Sequence, residues 1–245
     1  MKTRLINANF KKDYVDSLLK ARGIENPEDY YNPSREFLQS PTDLENVERG
    51  ANLLMGVLAL DEKILIVVDS DNDGFTSATI MYSYLKDLMP DCKIDYILHE
   101  GKQHGLQDHI KNLTEGGEHY GLIILPDSSS NDYVYHEQLS DLGTSVLVLD
   151  HHITDTELSE NAIVINNQLS PNYKNKELTG AGVVYQFCRY LDLKLDKSFA
   201  DKYIDLAAWG IIGDMGSMLE LENRYIVKEG LKNINNKLLW ALMEK

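Results

Sequence analysis

Three short apolar runs in this chain each end in an acid. Ile64–Val68 runs into Asp69, Leu122–Pro126 into Asp127, and Val146–Leu149 into Asp150, with His151 and His152 immediately after. Runs that are apolar throughout, rather than alternating, are predicted to be strands buried on both faces. Ile94–Leu98 reads as a fourth strand. Between the runs lie Thr76–Met89, Leu106–Thr114 and Tyr133–Leu142, each predicted to be a helix. Strands alternating with helices specify an α/β fold, a parallel sheet flanked by helices. In such a sheet ligands bind beyond the carboxyl ends of the strands. Three strands therefore deliver acids to one edge, the expected active edge.

The flanks read differently. Phe10–Arg22 carries Phe10, Tyr14, Val15, Leu18 and Leu19 at helical spacing, and Gly23 is a natural stop. Asn26–Pro41 holds three prolines and is expected to be an irregular connection, before a helix capped by Asp43 that runs through Leu60. From Thr179 onward the pattern is mostly helical. These readings give an N-terminal helical accessory segment over 1–42 and a core domain over 43–245 with a helical C-terminal part.

Composition narrows the partners. Lys plus Arg number 24 and Asp plus Glu 39, a formal charge of −15. That excludes a broad basic surface as the main source of nucleic-acid affinity. It leaves open a nucleic-acid enzyme whose carboxylates are neutralised by metal. The two cysteines, Cys92 and Cys188, cannot build a disulfide framework or a zinc cage. No leader-like start and no run approaching the roughly 20 apolar residues of a membrane span are present. The expectation is a soluble, cytoplasmic protein with no membrane partner.

The acidic edge calls for a cation. Asp69, Asp71 and Asp73 alternate within Asp69–Gly74, and unit charges about 4 Å apart repel by roughly 4 kcal/mol at an effective dielectric of 20. Such a cluster requires metal or shifted pKa values. Oxygen-rich ligands with one or two imidazoles suit manganese or magnesium better than zinc, which remains open. A calcium loop would need a bidentate Glu at its twelfth position, where Ile80 stands. A later acid, Asp214, ends the apolar run Leu206–Gly213, where it opposes the helix dipole and calls for a compensating partner.

Taken in order, these pieces resemble the DHH phosphoesterase superfamily, its RecJ-like branch in particular. The matching segments are VVDSDNDGFTSA at Val67–Ala78, HGL at His104–Leu106, LPDSSS at Leu125–Ser130 and LDHHIT at Leu149–Thr154. LTGAGVVYQF at Leu178–Phe187, GIIGDMGSM at Gly210–Met218 and ENRYIVKEGL at Glu222–Leu231 complete the set. The resemblance implies a two-metal phosphodiesterase, usually using Mn2+, with Mg2+ as the alternative. Carried over by position, it implies that Asp71, Asp73, Asp127, His151 and Asp214 are metal ligands, with Asp127 bridging. Asp69 either ligates or acts from behind a ligand. Asp150 is expected to orient a histidine, and His152 to face the phosphate, donating a hydrogen bond or assisting the leaving oxygen. The nucleophile would be a metal-held hydroxide rather than a side chain.

Substrate contacts are more open. His104 falls in the family's glycine-leucine segment. Gly180 and Gly182 open a helix and either cradle a phosphate or allow close packing. Arg224 either binds substrate phosphate or pairs with Glu222. Ser128, Ser129 and Ser130 lack a G-x-S-x-G elbow and are expected to cap the following helix.

The function implied is release of nucleotides from single-stranded DNA or short oligonucleotides. The alternatives are hydrolysis of a dinucleotide, cyclic dinucleotide or pyrophosphate, or a non-catalytic replication or repair scaffold. RecJ-like exonucleases usually continue into a second, substrate-binding domain. Here Lys245 follows soon after the last matched segment, so a separate subunit supplying that domain is a further expectation.

Overall fold

A computed structural model of the chain describes residues 14–99, 101, 103–154 and 159–243. Five parallel strands form one sheet: β1 (Ile64–Val68), β2 (Ile94–Leu98), β3 (Leu122–Pro126), β4 (Ser145–Asp150) and β5 (Ile163–Asn166), in the order β2-β1-β3-β4-β5. The chain leaves β1 toward β2 on one side and returns to β3 on the other. The switch point, and the crevice it creates, therefore lies between β1 and β3.

Side chains alternate across the sheet and meet two apolar layers. Ile64, Ile66, Val68, Ile124 and Leu149 face the larger layer, which is built with α3 (Val47–Ala59), α4 (Asn72–Leu88), α7 (Gly180–Leu195), α8 (Ile204–Gly213) and α9 (Leu221–Lys232). Leu65, Val67, Ile123 and Val148 face the smaller layer, covered by α5 (Ile110–Glu115) and α6 (Tyr133–Asp141). The α/β architecture is thus as expected, with the four anticipated strands in place.

Several element boundaries differ from expectation, each for a local reason. α4 begins at Asn72, not Thr76, because Asp71 caps it by accepting the Gly74 N–H at 2.9 Å. The acidic loop is therefore itself the start of a helix. α3 begins at Val47, not Asp43: Pro41–Asp43 is a 3-10 turn and Asn46 adopts φ 63°. α5 starts at Ile110, since Leu106 is held in the preceding loop by donating its N–H to Asp132. β5 adds a fifth strand to the expected four; a four-residue run is short, and only pairing with β4 makes it a strand.

The Asn26–Pro41 connection is more regular than its prolines suggest. Asn26 caps and Pro27 opens a short helix, α2 (Pro27–Tyr31), followed by a 3-10 turn at Arg35–Phe37. This segment is tied to the core. Arg224 donates to the Tyr30 carbonyl at 2.6 Å, Arg35 pairs with Asp201 at 2.8 Å, and the Gln39 N–H donates to buried Glu222. The N-terminal helix is described as α1, Tyr14–Ala21; the Phe10 end of that expectation lies outside the described residues. The chain closes with α10 (Lys237–Met243). Cys92 and Cys188 are both buried and free. Among the described residues, no helix is long and apolar enough to cross a membrane.

Candidate active site

The neighbouring strands β1 and β3 release Asp69 and Asp127 side by side at the switch point, and β4 ends on Asp150 one strand further on. All three carboxylates are buried, at about 1% exposure. Close packing holds them. A Cβ on Gly74 would lie 2.5 Å from the Asp69 Cβ, so only glycine lets the first turn of α4 approach the end of β1. Asp127 itself has φ 67°, a left-handed conformation uncommon for a residue with a side chain. Strain of this kind persists where surrounding structure enforces it, commonly at a functional site.

Asp73 lies in the first turn of α4 and reaches across to the start of α7. It accepts the Gly180 N–H at 2.6 Å, the Ala181 N–H at 3.0 Å and the Thr179 hydroxyl at 3.0 Å. The amino-terminal donors of α7 thus cradle an anion, but that anion is the protein's own carboxylate. This corrects the phosphate-cradle reading of Gly180. Its proximity to Asp127, 2.2 Å from a would-be Cβ to Oδ1, makes the position one of close approach. A Cβ at Gly182 would meet Leu178 at 2.3 Å, so Gly182 serves helix packing as well.

His151 is central. Its Nε2 lies 3.2 Å from Asp127 Oδ1, 3.8 Å from Asp214 Oδ2 and 3.9 Å from Asp73 Oδ2. Three groups have ligand atoms mutually within 4.8 Å: Asp69, Asp71 and Asp127; Asp73, His151 and Asp214; and Asp127, His151 and His152. Asp127 belongs to two of them. Asp69 Oδ1 and Asp127 Oδ1 are buried without a hydrogen-bond partner. Buried polar atoms are rarely left unpaired, and a bound ion is one recognised resolution. Acceptor oxygens in this number fit a hard divalent cation.

The electrostatics agree with that fit. Burial pushes Asp127 well above the usual carboxylate range, and the charges of Asp73, Asp150, Asp71 and Asp69 push it further. Burial likewise raises Asp73, against the opposing pull of His151, and raises Asp69, against its hydrogen bond with His104. Without positive charge these groups cannot all stay ionised.

Asp150 behaves oppositely. Burial opposes its ionisation, yet hydrogen bonds from His152 and Ser130 hold it at about 2. It accepts the His151 N–H at 2.7 Å, the Ser130 N–H at 3.0 Å and His152 Nδ1 at 2.8 Å. The hydrogen bond to Asp150 raises His152 to about 9 in spite of partial burial. His152 remains exposed and borders, with His104 and Ser128–Ser130, an open cavity of about 610 Å³.

Other expectations resolve differently. His104 faces the site but is bonded to Asp69 through Nδ1 at 2.7 Å. The Arg224 guanidinium lies 3.5 Å over the Tyr30 ring, with Nε on the Tyr30 carbonyl. It therefore neither joins the acidic cluster nor pairs with Glu222, which accepts instead from Tyr173, Asn175 and Gln186. The serines do not cap α6, whose cap position is Asp132; Ser130 instead braces Asp150. Two residues escape sequence reasoning. Thr179 bonds Asp73, and Asn166 at the end of β5 donates to Ser130 Oγ and the His152 carbonyl, fixing the His-His loop. The paired Asn166-Asn167 after an apolar run is the available signal.

Comparison with known proteins places this geometry in context. The family model described as "DHH family, N-terminal domain" matches residues 63–211. The Bacillus subtilis (strain 168) protein named "Putative SPbeta prophage-derived single-strand DNA-specific exonuclease YorK" is 40% identical over 246 residues, covering 100% of this chain and 42% of that protein. Among solved structures, RecJ from Thermus thermophilus in complex with Mn2+ is 28% identical with a TM-score of 0.73, covering 87% of this chain and 30% of that one. The same protein in complex with Mg2+ aligns at 27% identity and TM-score 0.59, covering 87% and 26%. This chain therefore spans less than half the length of these relatives.

Proposed function

The chain belongs to the DHH family, in its RecJ-like branch, and on that premise we propose that it is a metal-dependent phosphodiesterase acting on single-stranded DNA or short oligonucleotides. The observation that carries this reading is Asp127. It is buried, backbone-strained and common to two ligand groups, and its Oδ1 faces His151 Nε2 at 3.2 Å with no hydrogen bond made. Two such atoms facing one another are reconciled by a shared cation.

In this proposal Asp69, Asp71 and Asp127 would hold one ion, and Asp73, His151 and Asp214 the other, with Asp127 shared between the two positions, Mn2+ favoured and Mg2+ possible. Bound divalent cations supply charge neutralisation at the phosphoryl group and acidify water for attack. The chain's own residues do the rest. The α7 amino terminus fixes Asp73 by three donors, so its free lone pairs are aimed rather than mobile. Asp150 fixes His152 through Nδ1 and favours its protonated form, in which Nε2–H can donate to a phosphate oxygen or the leaving oxygen. His104 holds Asp69 by the same kind of bond.

The charge of −15 favours short substrates over long strands, because acids outnumber the basic groups that would release counterions from a phosphate backbone. A dinucleotide or other small phosphorylated molecule is therefore the second reading. A separate subunit supplying a substrate domain belongs to the same proposal. The test is a Mn2+-supplemented assay on a 5′-labelled single-stranded oligonucleotide and on a dinucleotide, with Asp127→Ala as control. Cleavage of the strand to mononucleotides, lost in the variant, supports the nuclease reading. Cleavage of the dinucleotide alone moves the function to small substrates. No cleavage of either by a metal-loaded protein contradicts both.

A further inference from the structure

The edge strand β2 carries an apolar face that the described residues leave half-exposed. Tyr96 and Leu98 pair in register with Ile66 and Val68, so all four side chains project from the same face of the sheet. On that face α4 packs over β1 and β3 and presents Phe75 and Tyr82, two helical turns apart, toward β2. Between helix and strand lies a groove of about 280 Å³. Tyr96 is 61% exposed, Leu98 50% and Phe75 48%. Tyr82 meets Tyr96 in a T-shaped contact at 6.3 Å, and both rings line the groove. Single exposed apolar residues are ordinary; three lining one groove are not.

The groove begins at the acidic edge. Val68 directly precedes Asp69, Leu98 is its partner on β2, and Phe75 is two residues beyond Asp73. A molecule whose phosphate lies among the carboxylates has its nearest apolar surface here. We propose that this groove takes a nucleobase of the substrate strand, stacked against Tyr96 and Phe75. The inference rests on the phosphodiesterase reading and deepens it. Its volume suits one planar ring system. A protein partner needs some 800 Å² per side for a stable contact, far more than these side chains offer. The charge balance points the same way: a chain at −15 gains little affinity from backbone phosphates, whereas base–aromatic stacking works regardless of net charge and base identity.

The experiment is equilibrium binding of two fluorescent strands, an oligo-dT and the same strand built of abasic nucleotides. Both carry phosphorothioate links so that neither is consumed, and Mn2+ is present. The proteins are the wild type and Phe75→Ala/Tyr96→Ala. The expected result is that the variant loses roughly 5- to 150-fold in affinity for oligo-dT, the range for one stacked base, and nothing for the abasic strand. Wild-type protein mixed with a 5-iodouracil strand and irradiated is expected to cross-link at Tyr96 or Phe75, a readout that needs no variant. An equal loss on both strands, no loss on either, or cross-links only elsewhere would overturn the proposal. So would a dimer in solution that the Tyr96→Ala change alone dissolves. Wild-type cleavage of an unmodified strand separates the two levels. Cleavage with an inert groove sinks the groove alone, while neither binding nor cleavage sinks the phosphodiesterase reading together with it.

Discussion

The carboxylate of Asp73, at the start of α4, is bonded to the backbone N–H of Gly180, at the start of α7, at 2.6 Å across a separation of 107 residues. Two helix amino termini thus converge on one side chain, and with them the segments carrying Asp71, Asp73 and Asp127 are locked together. The helix dipole of α7 favours the ionised form of Asp73 even where burial opposes it. What the sequence presents as separate motifs is one mechanical unit.

Gly180→Ala tests that unit. The added methyl would lie 2.2 Å from Asp127 Oδ1 and 2.6 Å from its Cβ, and neither the strained Asp127 backbone nor buried α7 has room to yield. Loss of at least tenfold in Mn2+ affinity is expected, together with a destabilisation of about 1–3 kcal/mol from overpacking. Titration calorimetry and denaturant melts measure the two effects. Unchanged metal affinity would show that the contact is not confining.

Asp127→Asn separates stability from metal binding. In metal-free protein this change removes a carboxyl group whose ionisation burial and neighbouring charges both oppose, so apo stability is expected to rise, by roughly 2–4 °C in melting temperature for each kcal/mol gained. The rise on adding Mn2+, given by ligand linkage, is expected to shrink or vanish. Thermal melts with and without Mn2+ decide it; a variant less stable than wild type in EDTA would contradict the repulsion argument.

Glu222 is structural. Fully buried, it accepts hydrogen bonds from Tyr173, Asn175, Gln186 and the Gln39 N–H. Truncation to Ala strands these donors, and a cost of about 3 kcal/mol or more is expected from leaving several buried groups unpaired. Because Gln39 belongs to the N-terminal segment, limited proteolysis within residues 24–40 is expected to quicken. Glu222→Gln, which retains acceptor capacity, should cost less; equal losses for both variants would point to the charge instead.

His136 contributes a pH dependence between about pH 6.5 and 4. It is fully buried on α6 with neither ring nitrogen hydrogen-bonded, and burial lowers it from 6.5 to about 4. The unfolded chain protonates this histidine below 6.5 while the folded chain does so only near 4. Stability is therefore fully present above about pH 6.5 and falls as pH drops through that window, by at most roughly 3 kcal/mol. Urea midpoints between about pH 7 and pH 4.5 should fall less steeply for His136→Leu than for wild type; parallel slopes would remove His136 from the explanation.

Much of this is legible in the sequence, and the gaps have physical causes. Strand-end acids are readable because a parallel sheet fixes where its carboxyl edge lies, so Asp69, Asp127 and Asp150 can be placed together from local patterns alone. Arg224 cannot. Its fate depends on Tyr30, 194 residues away in sequence, and no local signal announces a cation–π contact. Gly180 is legible as special but not for which reason, because a helix terminus that binds a ligand and one that binds Asp73 look alike until the fold brings α4 alongside. β5 and its Asn166 are hidden by brevity, and nothing local sets Phe75 and Tyr96 apart until the edge position of β2 leaves them uncovered.

The central claim is that Asp127 is shared between two cation positions. Electron paramagnetic resonance during Mn2+ titration of the wild type and Asp127→Ala tests it most directly. The expected result is two ions per wild-type chain, with the exchange-coupled signal of a bridged pair, and loss of that coupling in the variant. A single uncoupled ion in the wild type, or coupling that survives without the Asp127 carboxylate, would contradict it.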